Sequence, residues 1–130
     1  MVKSLRRAAR AGFTLIELLV TLAIIAVLLT IAVPRYFGRV EAANEAVLRD
    51  DLHQMRDALD KYYGDNNRYP EQLQDLVTKR YLRRIPPDPI TGSDKTWVAV
   101  PPQDARMGGV ADVRSGAAGK GRDGTPYNAW

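Results

Sequence analysis

One carboxylate, Glu17, stands alone in an apolar run that extends from residue 13 to residue 33 and is otherwise broken only by threonines. An ionisable group inside such a segment costs about 2.5–3.5 kcal/mol even on mild insertion scales, so it calls for a partner of opposite charge. The residues just before the run offer one. Arg10-Ala11-Gly12 meets Phe13 at an abrupt boundary, and a cut after Gly12 would free an amine on Phe13, one helical turn from Glu17. Within a single chain that amine points back along the axis, away from its own Glu17. A second helix, shifted along the membrane normal, brings its amine to the acid instead and pairs two charges that are each costly alone.

The remaining chemistry-bearing residues form no catalytic constellation. His53 is the single histidine, with no second ligand at metal spacing beside it, and reads as a surface or interface residue. Gly119-x-Gly121-x-x-Gly124 has the spacing of a nucleotide-binding loop but lacks the strand before it and the helix after it. Asp50 and Asp51 are adjacent, so on a helix they do not share a face and do not make an acid–base pair. The absence of cysteine excludes a disulfide framework, thiolate metal sites and a cysteine nucleophile. The chain therefore does not read as an enzyme. The chain has 19 basic and 15 acidic residues, and the excess lies in Lys3, Arg6, Arg7 and Arg10. Without them bases and acids balance at 15 each and alternate along the chain, so the high pI gives no case for nucleic acid.

The elements that position Glu17 follow from periodicity. Residues 13–33 make a helix of about 31 Å, matched to a hydrocarbon core of roughly 30 Å, and the basic flank before them keeps the N-terminus cytoplasmic. After Pro34, the positions Val40, Val47, Leu48, Leu52, Met55, Leu59, Tyr62 and Tyr63 make one apolar stripe. Glu41, Asn44, Glu45, Arg49, Arg56, Asp57 and other polar residues form the opposite, solvated face. One helix over about 13–63 is predicted, bent at Pro34 because proline lacks the amide donor and clashes with the preceding turn. Gly64-Asp65-Asn66-Asn67 ends it. A small head follows: a short helix over 71–79, an extended loop set by Pro86, Pro87 and Pro89, and short strands over 96–100 and 110–114. A glycine-rich tail follows, its end pinned by burial of Tyr127 and Trp130. The class is α+β, with a long N-terminal helix and a head of a short helix, a proline-rich loop and two or three short antiparallel strands. The organisation read here is a leader over 1–12, an apolar helix over 13–33, an amphipathic continuation over 34–64 and a head over 65–130.

Gly12-Phe13-Thr14-Leu15-Ile16-Glu17, preceded by a short basic leader and followed by an apolar stretch ending at Pro34, resembles the class III signal of type IV pilins and type II secretion pseudopilins. Asn67-Arg68-Tyr69-Pro70, Leu73 with Leu76, Tyr81-Leu82 and Ile85-Pro86-Pro87-Asp88-Pro89 are similar to the major pseudopilins of type II secretion, as is the closing Trp130. The lack of cysteine leans the same way, since type IV pilins often carry a C-terminal disulfide.

This resemblance implies that a prepilin peptidase cuts after Gly12 and methylates the Phe13 amine, and that Glu17 assists subunit docking. It implies a homo-oligomeric periplasmic filament that drives protein export across the outer membrane. The chain would sit in the bacterial inner membrane as a single-pass protein with its head in the periplasm. The implied partners are minor pseudopilins, the prepilin peptidase, an inner-membrane platform with its ATPase, and an outer-membrane secretin. It also implies a calcium-holding C-terminal loop. Here Asp123 is the first candidate ligand and Asp112 the second, while Ala118 and Lys120 stand where further acids are expected. Two other readings share part of this pattern: a type IV pilin acting in adhesion, motility or DNA uptake, and a periplasmic binding module that uses the helix only as a tether.

Overall fold

Helix α1 spans Leu15–Asn66 and contains Pro34 within it, in a computed structural model that describes residues 12–130. Of the expected leader, residues 1–11 lie outside the described residues. The helix starts later than residue 13 because Thr14 acts as its cap. It ends beyond Tyr63 because Gly64, Asp65 and Asn66 fit into the last turn. Asn67 then turns left-handed at φ 56° and its amide closes on the Tyr63 carbonyl at 2.8 Å, a C-terminal stop that asparagine tolerates. At Pro34 the missing amide leaves the carbonyl one turn earlier, on Thr30, without its usual donor. The Thr30 hydroxyl itself donates to the Val27 carbonyl at 2.6 Å.

The chain divides into two units, the first ending at Gly38 and the second covering Arg39–Trp130. In the first, the apolar side chains are uncovered: Leu15 is 74 % exposed and Leu22 53 %. By length and composition this stretch can cross a membrane.

The second unit is built on the expected stripe, with a shift. Leu48, Leu52, Met55, Ala58 and Leu59 are buried, whereas Val40, Val47 and Tyr63 stay substantially exposed. The spacing of the buried set keeps it on one face of α1. That face packs with Leu76, Val110, Val113, Ala117 and Tyr127, and Tyr62, Leu73, Tyr81, Ile90, Trp97 and Trp130 close the margins.

The second helix is shorter than the predicted 71–79. Helix α2 covers Asp75–Thr78, because the residues before it form tight turns, with the Asp75 and Leu76 amides bonding three residues back to Gln72 and Leu73. Its start has no side-chain cap among the described residues, and Arg80 at φ 66° takes the chain out of it.

Strands β1 (Trp97–Val100) and β2 (Asp112–Ser115) pair antiparallel, with Trp97 opposite Ser115 and Val100 opposite Asp112. The sequence pattern starts the second strand at Val110. Instead Val110 is buried in the core and its amide bonds the Pro70 carbonyl at 2.9 Å. The Gly109 amide reaches the same carbonyl at 3.0 Å, and the Tyr69 amide bonds Met107 at 2.6 Å. Gly108, at φ 121°, lies so close that a Cβ there would collide with the Tyr69 carbonyl. The paired glycines thus let the chain lie backbone to backbone on the Tyr69-Pro70 turn.

The proline-rich loop is anchored by a wholly buried acid. Asp88 accepts the Ser115 hydroxyl at 2.5 Å and the Ile90 amide at 2.8 Å, and the Trp97 indole donates to the Pro86 carbonyl at 2.7 Å. Asp51, part-buried on α1, is held above the usual carboxylate range by its burial and then by repulsion from Asp50 and Asp88. The folded head therefore binds this proton more tightly than the unfolded chain does. The stability it contributes is full below the unfolded value near 3.8 and is lost as pH rises through the higher folded value. Asp51→Asn is expected to raise the melting temperature of the detergent-solubilised chain at neutral pH, with the gain disappearing as pH falls toward 4. Equal gains at both pH values would assign the effect to something other than ionisation.

Candidate functional site

At the start of α1, Thr14 and Glu17 bond reciprocally. The Thr14 amide donates to Glu17 Oε2 at 3.0 Å, and the Glu17 amide donates to the Thr14 hydroxyl at 3.2 Å. This is a capping box: each side chain satisfies an amide that the first turn leaves without a carbonyl partner. The carboxylate also sits at the positive end of the helix dipole. The Thr21 hydroxyl follows with a bond to the Glu17 carbonyl at 2.7 Å. Glu17 Oε1 accepts no hydrogen bond among the described residues, so one oxygen is left for another donor. Phe13 is 93 % exposed, and no described atom lies within 4 Å of where a Cβ on Gly12 would be. The Gly12-Phe13 junction, Glu17 and the uncovered apolar face of α1 thus form one continuous stretch.

The spacing Thr14-x-x-Glu17 carries the capping-box signal, and through it Glu17 has a local partner in the single chain as well as the intermolecular one expected from its burial in an apolar run.

A second cluster joins the tail to α1. Glu45, Arg49 and Arg56 lie on one face of the helix. Glu45 Oε1 accepts the Arg122 amide at 2.7 Å and the Tyr127 hydroxyl at 3.4 Å. Arg49 stacks on the Trp130 ring at 4.3 Å and lies 3.5 Å from Asp123 Oδ2. Arg56 Nε donates to Asp112 Oδ1 at 2.8 Å, and its Nη2 donates to the main-chain oxygens of Val113 at 3.0 Å and Trp130 at 2.8 Å. The expectation of a wholly solvated polar face on α1 is corrected by these three residues. Their partners lie more than 50 positions away, which no local pattern reveals. The predicted pinning by two rings is present: Tyr127 is buried and meets Trp130 edge to face at 5.2 Å.

The two calcium candidates, Asp123 and Asp112, lie on different stretches of the head and each is engaged by other partners. Asp123 Oδ1 accepts the Thr125 hydroxyl at 2.6 Å and the Thr125 amide at 3.0 Å. These bonds, with Arg49 beyond them, hold its carboxyl below the usual range. Asp112 Oδ1 is taken by Arg56 and by the Val113 amide at 2.8 Å. Among the described residues, no three His, Cys, Asp or Glu side chains converge as a metal site would require. Cations already face both acids. His53 is exposed, and Lys120 bridges to Pro126 across the glycine-rich loop, so that loop is a closed turn with no phosphate cradle.

An apolar helix that opens on a capped acid at a Gly-Phe junction and carries a small α+β head defines the pilin-like class. Residues 7–33 match the family model described as the prokaryotic N-terminal methylation motif. The chain is 35% identical to the type II secretion system core protein G of Klebsiella michiganensis, over 68% of this chain and 73% of that protein. It is 32% identical to the core protein G of Vibrio cholerae, over 94% of this chain and 93% of that one. Against the core protein G of Aeromonas hydrophila it is 32% identical over 77% and 70%. No solved structure matches it. The chain belongs to the family of type II secretion system core protein G, the major pseudopilins, and its role is that of a pseudopilin in type II secretion.

Proposed function

We propose that this chain is a structural filament subunit with no chemistry of its own, and that the site at the start of α1 is where one copy joins the next. A prepilin peptidase cuts after Gly12, the new Phe13 amine is methylated, and Glu17 of a subunit already in place receives the amine of the incoming one. The apolar helices form the inner layer of the filament and the heads its outside. Pro34 is the hinge at which the helix leaves the membrane. The chain is anchored in the bacterial inner membrane with its head in the periplasm. Minor pseudopilins, the platform protein with its ATPase and the outer-membrane secretin are its partners.

The observation that carries this reading is the Glu17 oxygen left without a donor among the described residues, beside an exposed Gly12-Phe13 junction, on a helix whose apolar side chains are uncovered through its first unit, as far as Phe37. Such a surface in one chain needs other copies or lipid to cover it. Mass spectrometry of the protein isolated from its native membrane tests the reading. The expected N-terminus is methylated Phe13. A native protein that begins at Met1 and still polymerises normally would overturn it.

A further inference from the structure

We propose that the end of this chain, after the loop where its family resemblance implies calcium, is tied to β2 by the Arg56 guanidinium, so the head folds and holds its tail without a divalent cation. A calcium ion that organises a loop gathers roughly six to eight oxygens, carboxylates and carbonyls together, from separated stretches of chain. Arg56 gathers such a set with nitrogen donors. It takes a carboxylate oxygen from Asp112, the carbonyl of Val113 on β2 and the main-chain oxygen of Trp130, at 2.8, 3.0 and 2.8 Å. A planar fork with several N–H groups in fixed directions suits these acceptors, where an ammonium would act as a point charge.

The local charges fit the exchange. Arg49 faces Asp123 and covers the Trp130 ring. A divalent ion approaching either aspartate would have to displace an arginine and would be repelled by it. Ala118 and Lys120 add no carboxylate to the loop, and Lys120 adds a further positive charge. A guanidinium is a permanent cation at every physiological pH, whereas a calcium site is filled only when the ion is abundant. The tail of this chain is thereby independent of the calcium level around it.

Thermal unfolding of the full-length chain in detergent, followed by the fluorescence of Trp97 and Trp130, tests the inference. The wild-type melting temperature is expected to be the same in calcium chloride and in chelator. Arg56→Gln is expected to melt lower and to let a carboxypeptidase remove Trp130 faster, and Arg56→Lys to fall between the two. A wild-type melting temperature that rises with calcium would overturn the proposal. So would an Arg56→Gln variant whose melting and tail cleavage match the wild type. The calcium comparison on the unmodified chain holds even where a variant does not fold.

Discussion

Glu17→Ala is expected to leave the head folded and to stop filament growth. The hydrogen bonds of Glu17 are with Thr14 and Thr21 at its own helix end, whereas the head is held by Leu48, Leu52, Met55, Leu59 and their partners. In the proposed filament the neighbour's Phe13 amine would be left buried and unpaired, and breaking a buried pair by removing one partner costs about 3–5 kcal/mol. At about 1.4 kcal/mol per tenfold, the loss in subunit affinity exceeds a hundredfold. Alanine also deletes half of the capping box, one hydrogen bond at the helix start. Glu17→Gln separates the two effects, because its amide oxygen still accepts from Thr14 but carries no charge. If the charge is what matters, Glu17→Gln fails to polymerise as fully as Glu17→Ala while keeping its helix content. Normal filament yield from Glu17→Gln in a secreting cell would refute the pairing with the neighbour's amine.

Leu48→Ala is the second large effect expected, and it falls on the head. Leu48 is wholly buried, and a buried leucine cut back to alanine costs about 2–5 kcal/mol through lost transfer energy and the cavity left behind. A typical domain has only about 5–15 kcal/mol to lose. This head has two four-residue strands and a four-residue second helix to support α1. For a unit of this size the melting temperature should fall by roughly 10 °C or more. Val47→Ala is the control one position away. Val47 is 49 % exposed, and its truncation is expected to stay within about 0.5 kcal/mol. The contrast is read by thermal unfolding of the two full-length variants in detergent. If Leu48→Ala melts no lower than Val47→Ala, the core has been drawn in the wrong place.

The features of the fold that depend on near neighbours were legible in the sequence. The apolar run, the passage of the helix through Pro34 and the run of buried residues from Leu48 to Leu59 all follow from spacing along one helix. The boundaries were less legible because tertiary bonds set them. Val110 leaves the strand pattern for the core because its amide is claimed by Pro70, and α2 shrinks to Asp75–Thr78 because turns consume the residues before it. Val40 and Val47 match the stripe by period but stay exposed. In the site, Gly12, Phe13 and Glu17 stand out by residue type. The roles of Arg56, Arg49 and Glu45 do not, because nothing near them in the chain announces Asp112, Asp123 or Arg122. The same holds for the two calcium candidates: nothing in the sequence around Asp112 or Asp123 announces that Arg56 meets the first and Arg49 the second.

The bond between Thr14 and Glu17 also bears on how a subunit waits. A carboxylate that already accepts the Thr14 amide keeps one hydrogen bond before any second subunit arrives. In the proposed filament a charged donor would join the neutral one at the oxygen that Thr14 leaves open, and leaving the filament would remove it again. Growth and disassembly of the proposed filament would then share one reversible step.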